Sequence, residues 1–362
     1  MKKHLFICLF VCQSLYSNAQ IKLFGFERQM QVISYNADES RVIGYGSNWT
    51  QHKGQRTMGR NIIIWDAKTG EIIKNIDCTP LRDLTYNGTE YLNGMLRECS
   101  ISPDKKRICI TAKTYYAKDG KDLYQMVLHF YDIEKDSLYS VMVDKTHQPT
   151  KAVFHPTNAD LMAFIAIDKD TEMVSAVYSI SQNKILHYLM KGKGLIMPLS
   201  IDFSAETGQA YIGYGTGKNN EGGFEVYDTE SGKLLKKIPL RDEPMYFSEW
   251  NNQLIVGCSY QTFFFNLKTF ALIKTEKIIV SNIHQSKNIA LLNPIELADT
   301  KQVQIYDLKT GKKINLSQEG MSNPCFNTQG NQLIGIKPKN EFDESSASLS
   351  VPSAYIYTLE DK

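Results

Sequence analysis

An all-β fold built from seven copies of a four-stranded unit is predicted by three observations in the 362-residue chain. A strand ending in an aromatic residue and Asp, or a close relative, recurs seven times. A tight-turn signal precedes each copy, and the copies are spaced by nearly one unit. The strand ends read Ile64-Trp65-Asp66, Phe130-Tyr131-Asp132, Val177-Tyr178-Ser179, Val226-Tyr227-Asp228, Phe264-Phe265-Asn266, Ile305-Tyr306-Asp307 and Ile356-Tyr357-Thr358. Successive ends lie 66, 47, 49, 38, 41 and 51 residues apart, and all but the first interval fit a repeat of roughly 40–50 residues. A unit of that size cannot bury its apolar faces alone and needs neighbours. The repeat therefore predicts a seven-bladed β-propeller of four-stranded blades.

The elements of one unit follow in order. Turn residues before each strand end mark the hairpin joining the first two strands: Asn36-Ala37-Asp38, Ser102-Pro103-Asp104, His155-Pro156-Thr157, Ser204-Ala205-Glu206, Asn251-Asn252, Gln285-Ser286 and Asn327-Thr328-Gln329-Gly330. Pro, Asp, Asn and Gly supply the backbone geometry of tight turns. Thr69-Gly70, Ser231-Gly232 and Thr310-Gly311 mark the turn between third and fourth strands. The excess length of the first interval is assigned to an insertion around Thr79–Gly94, where Pro80, Asn87-Gly88 and Asn93-Gly94 supply turns.

With these motifs the chain resembles the WD-repeat and TolB-like propeller families across essentially its whole mature length. Ser102-Pro103-Asp104 and Ile64-Trp65-Asp66 are the nearest matches. It departs from the WD pattern in having no Gly-His pair and in keeping the Asp in only four units, at Asp66, Asp132, Asp228 and Asp307. The resemblance implies a divergent WD40-like propeller that presents binding surfaces. The last unit ends too early to hold a fourth strand, and Ile21–Glu27 is left over before the first. That segment is assigned as the missing strand, pairing into the last blade to close the ring and cover its edge.

Met1–Ala19 reads as a secretory signal peptide, with Lys2 and Lys3, an apolar stretch over Leu5–Leu15, and a small-residue cut after Ala19. The apolar stretch is too short for the ~20 residues of a membrane span. The Asn-Ala-Gln junction resembles those of Bacteroidetes-type bacteria, which implies a periplasmic or secreted protein. Residues 20–362 are then expected to form a single propeller domain with no integral membrane segment. Removal of the two signal lysines leaves 39 basic against 39 acidic residues, a balance that offers no field for nucleic acid. Of seven cysteines, the five that remain after the cut, Cys78, Cys99, Cys109, Cys258 and Cys325, are widely spread and not a disulfide framework. Cys99 and Cys109 flank one hairpin and either pair across it or sit as small strand residues.

No local metal pair exists among the scattered histidines, and no phosphate loop or nucleophile elbow occurs. No catalytic residue, cofactor or metal is therefore assigned. The alternative is a carbohydrate-active enzyme whose carboxylates meet near the axis, with Asp168, Asp170, Glu172, Asp202 and Glu221 as candidates. The leading reading is a non-catalytic binder of a protein or peptide of the cell envelope, with a glycan as a further class of ligand. Loops between second and third strands share one end of a propeller, and here they are long: Ser47–Arg60, Thr114–Gln125, Asp168–Val174, Gly215–Gly223, Asn293–Gln302 and Lys337–Ser353. Long loops on a rigid scaffold commonly carry recognition. The expected contact residues are Lys53, Arg56, Arg60, Tyr115, Tyr116, Lys118 and Tyr124, because aromatics and Arg dominate binding hot spots.

Overall fold

The computed structural model describes residues 20–26, 29–113, 115–117, 122–123, 126–144, 146–168, 170, 172–192, 196–217, 221–293, 302–319, 322–337 and 353–359. The predicted signal peptide and residues 338–352, within the expected long connection Lys337–Ser353, lie outside the described residues. Almost all described regular structure is β, in eight sheets of four antiparallel strands.

Sheet 1 holds Gln29–Tyr35, Arg41–His52, Gln55–Asp66 and Ile72–Asp77, and sheet 2 holds Met95–Ile101, Arg107–Lys113, Met126–Asp132 and Ser137–Asp144. Sheet 3 is His147–Phe154, Leu161–Asp168, Met173–Ser179 and Lys184–Lys191; sheet 4 is Met197–Phe203, Ala210–Gly215, Gly222–Tyr227 and Leu234–Leu240. Sheet 5 is Pro244–Trp250, Gln253–Cys258, Thr262–Asn266 and Leu272–Glu276; sheet 6 is Ile279–His284, Ile289–Asn293, Gln302–Asp307 and Lys313–Glu319. Sheet 7 takes Ser322–Phe326, Gln332–Lys337 and Ser353–Thr358 from the chain's end and Gln20–Leu23 from its start.

Each strand of a sheet has its own burial pattern. Second and third strands are buried on both faces, as Ala210–Gly215 and Gly222–Tyr227 are throughout, whereas the fourth strand Leu234–Leu240 is largely exposed. First strands of neighbouring sheets touch in succession, and Ser322–Phe326 of sheet 7 touches Gln29–Tyr35 of sheet 1. In all seven sheets the first–second strand register shifts once, from Val32/Ser34 in sheet 1 to Ser322/Cys325 in sheet 7. A recurrent bulge of this kind bends and twists the strand at one level of every unit.

The aromatic-Asp motif has a defined local job. Asp66 Oδ1 accepts the N–H groups of Lys68 and Thr69 at 2.9 Å each, capping the turn into the fourth strand. Asp132, Asp228, Asn266 and Asp307 repeat the arrangement. These N–H groups hold the carboxyls of Asp66, Asp132 and Asp307 below the usual aspartate range; at Asp228 the Ser231 hydroxyl and N–H do so. Asn fits equally well because only one acceptor oxygen is required. Five described cysteines, Cys78, Cys99, Cys109, Cys258 and Cys325, are free, and Cys99 stands opposite Ile110 rather than Cys109.

Candidate functional site

The eighth sheet was not legible as a sheet. Its order is Asp122–Leu123, Tyr115–Ala117, Thr89–Leu92, Leu84–Tyr86, so it joins the insertion after sheet 1 to the second-to-third connection of sheet 2. Tyr116 pairs with Leu92 and Ala117 with Tyr91. A 3-10 helix, Thr79–Arg82, leads into it. The expected insertion around Thr79–Gly94 and the expected loop Thr114–Gln125 thus contribute the strands of one accessory sheet.

Ser47–Arg60 is likewise not a loop. Strands Arg41–His52 and Gln55–Asp66 stay in register from Arg41↔Asp66 to His52↔Gln55, forming an arm that extends beyond the rest of sheet 1. Lys53 and Gly54, at φ 50° and 76°, turn the chain with left-handed backbone at both central positions, the geometry that matches strand twist in a two-residue hairpin. The outer arm is only half-buried, so pairing rather than burial specifies it, and a hydrophobic pattern could not reveal it.

Arm, helix and accessory sheet are cross-braced. Asp83 accepts the Asn93 N–H at 2.8 Å through Oδ1, and its Oδ2 meets His52 Nε2 at 2.6 Å and Lys53 Nζ at 2.9 Å. Burial opposes ionisation of this carboxyl, but those three partners together hold it below the usual range. Arg82 donates from Nε to Gly94 O at 3.2 Å and from Nη1 to Thr57 Oγ1 at 2.9 Å. Gly59 permits the close approach, since a Cβ there would lie 2.2 Å from Thr79 Oγ1.

The expected contact residues separate into distinct roles. Lys53 is held by Asp83, Arg56 stacks over the Trp49 ring at 4.7 Å, and Arg60 lies 5.7 Å from the centre of the Tyr45 ring. Tyr116 is exposed at 42%, whereas Tyr115 is fully buried and cannot be a contact residue. Adjacent residues of a strand face opposite ways, and that rule was the available signal. Lys118 and Tyr124 lie outside the described residues. Met58 on the arm, Tyr86 on the accessory sheet and Met95 at the start of the first strand of sheet 2 are exposed as well, and none of them was among the expected contact residues. Met197 and Met245, near the starts of the first strands of sheets 4 and 5, are exposed at the same end.

The carboxylates of the enzymatic alternative lie at two ends of the sheets. Asp168, Asp170, Glu172 and Glu221 stand at second-to-third strand connections, while Asp202 lies near the opposite end of the first strand of sheet 4. Asp168 Oδ1 accepts the N–H groups of Asp170 and Glu172, a turn-capping role. Among the described residues no group of three or more His, Cys, Asp or Glu is placed to hold a metal.

Asp202 is enclosed by protein without being sealed from solvent, and burial lifts its carboxyl to about 6. The Phe203 N–H and the Lys151 charge pull it down, and Glu249 adds to the rise. The folded state therefore binds this proton more tightly than the unfolded chain, so stability falls as pH rises from about 4 to about 6. Asp202→Asn is expected to stabilise the protein at pH 7 by on the order of 1–2 kcal/mol, with residual solvent contact reducing the full effect. Urea melts at pH 7 and below pH 4 check this: the difference should vanish in acid, and a constant difference would refute the assignment.

No protein-family model and no curated protein sequence matches the chain. Solved structures do match in shape. The propeller of Dos1 superposes with TM-score 0.59 at 11% identity, covering 93% of this chain and 94% of that one. The β-propeller domain of the Trilobed protease from Pyrococcus furiosus, which has an open velcro topology, gives 0.56 at 9% identity over 94% and 97%. Dihydro-heme d1 dehydrogenase NirN gives 0.54 at 12% identity over 94% of this chain and 68% of that one. Likeness at such low identity concerns shape alone, and the fold it shows is a β-propeller.

Proposed function

We propose that the chain is an exported, non-catalytic propeller of seven blades that binds a protein or peptide of the cell envelope. Sheets 1 to 7 are the blades. Strand Gln20–Leu23 completes the seventh and closes the ring, a reading supported by its pairing with Ser353–Thr358 and by contact between the first strands of sheets 7 and 1. Export rests on the Met1–Ala19 signal, and a cut after Ala19 leaves the paired strand Gln20–Leu23 whole.

The observation that carries the binding role is the braced platform of arm and accessory sheet. Two insertions have been folded into paired structure on the end where the long connections gather; that structure exposes Met58, Tyr86 and Tyr116 and carries Arg56 over Trp49, and Met95 is exposed where sheet 2 begins. Rigid presentation lowers the entropy cost of association. Thioethers adapt to irregular apolar partners, while Tyr and Arg supply anchors. Capture from envelope fractions with the exported chain, its N-terminus sequenced alongside, tests the proposal. Arg56→Glu with Tyr116→Ala is expected to lower partner recovery at least tenfold, about 1.4 kcal/mol or more, at unchanged melting temperature. Equal recovery by the double variant would place the contact elsewhere.

A further inference from the structure

At the opposite end from the platform, the first hairpins of sheets 1, 2, 6 and 7 surround a cavity of about 360 Å³. Lys105 lines it, with Ser34, Asn36, Asn282, His284 and Asn327. That volume is within the range of small-molecule sites.

Lys105 is an odd residue for its position. Its N–H closes the turn onto Ser102 O at 2.9 Å, and its φ is 58°, in the left-handed region. Gly330, with φ 66°, makes the matching bond to Asn327 O in sheet 7, and Gly or Asn is what such backbone favours. Turn chemistry thus gives no reason for a lysine. Its ammonium is partly buried and reaches Ser34 Oγ at 3.0 Å, and no carboxylate is bonded to it among the described residues.

Nearby groups do not neutralise it. Glu39, at the matching turn position of sheet 1, is taken up by the Thr328 N–H and by Asn327 Nδ2. His284 Nε2 bonds Thr328 O at 2.8 Å. The Cys325 thiol is pushed by burial to about 11 and so stays uncharged. Burial also draws the Lys105 ammonium below the usual lysine range, a cost that a serine hydroxyl does not offset. Asn282 adds a side-chain amide that no group among the described residues engages.

We propose that this cavity binds a small carboxylate-bearing molecule, with the Lys105 ammonium pairing its charge and the Asn282 amide donating a second hydrogen bond. One cation and neutral amides suit a singly charged oxyanion better than a phosphate, which is met by several charges or a nest of N–H groups. The carboxylate belongs to an acidic sugar or to an amino-acid derivative, and matched probes separate these sources. The site is independent of the platform at the other end.

Calorimetric titration of the mature chain with galacturonate and with N-acetylglycine, against galactose and N-acetylglycinamide as neutral controls, tests it. At least one acid should bind while its neutral counterpart does not, and the acid that binds identifies the source. Lys105→Asn keeps a residue suited to the left-handed turn and removes the charge; it should weaken binding about tenfold or more without lowering the melting temperature. Arg56→Glu with Tyr116→Ala should leave this binding unchanged. Absence of binding by both acids, or equal binding by Lys105→Asn, would overturn the proposal.

Discussion

A chain beginning at residue 27 is expected to lose cooperative melting, whereas one beginning at Gln20 melts as a unit. Residues 20–26 do more than cover an edge. Ile21 pairs with Ile356 and Leu23 with Ala354, placing the strand in sheet 7. The next residues cross to sheet 1: Phe24 O accepts Trp65 Nε1 at 2.8 Å, and Phe26 meets the Trp65 ring edge-on at 5.9 Å between centroids. Leu23 and Phe26 are fully buried in one cluster with Val42, Ile63, Trp65, Ile334 and Ile356. The segment therefore joins the two ends of the chain through a shared core. Phe26→Ala alone should cost about 3–5 kcal/mol through lost burial and a cavity, a large share of the ~5–15 kcal/mol that holds a domain together. Deletion adds the strand pairing and the Trp65 hydrogen bond to that loss. Calorimetry decides between the two views of this segment. A truncated chain melting sharply at the full-length temperature would reduce it to an appendage.

Much of this framework was readable because it is local. The turn after Asp66 is fixed by one acceptor oxygen and two N–H groups within three residues, and the same signal recurs down the chain. Second and third strands such as Leu161–Asp168 and Met173–Ser179 read as apolar runs because neighbouring sheets cover both faces. The platform is legible only in fragments, for the opposite reason. The strands of its accessory sheet are two to four residues long, and Tyr116 and Leu92 meet across 24 positions with all of Met95–Ile101 and Arg107–Lys113 between them. Hydrophobic periodicity cannot report a pairing of that kind. The cavity around Lys105 is still less visible, because its lining comes from four sheets and its informative feature is a backbone angle.

Replacing Tyr115 is expected to release the platform from the propeller beneath it. The residue is fully buried, and its hydroxyl lies 2.5 Å from His129 Nε2 and 3.2 Å from Leu81 O. His129 Nδ1 in turn lies 2.7 Å from Ser140 Oγ. One arrangement of protons satisfies every group: Ser140 O–H donates to Nδ1, Nε2–H donates to the tyrosine oxygen, and the tyrosine donates to Leu81 O. That chain links an outer strand of sheet 2 to the 3-10 helix under the accessory sheet. Burial holds His129 down to about 3, so it stays neutral and the relay persists at every pH above that. Gly94 supports the ring from below, since a Cβ there would fall 2.2 Å from Tyr115 Cε1.

Tyr115→Phe keeps the packing but orphans the His129 N–H and Leu81 O, at about 1–3 kcal/mol. Tyr115→Ala also opens a cavity, raising the expected loss to about 3–5 kcal/mol. It further lets water reach His129, whose titration should climb toward the ordinary histidine value near 6.5. Two readings separate anchorage from general weakening. Amide exchange at Leu84–Tyr86 and Thr89–Leu92 should accelerate in Tyr115→Ala while the hairpins of sheets 4 and 5 keep their protection, and partner capture should fall with it. Tyr116→Ala, one residue away and exposed, should reduce capture and leave exchange alone. Unchanged exchange in Tyr115→Ala would mean that the Asp83 brace to His52 and Lys53 holds the platform without help from the core.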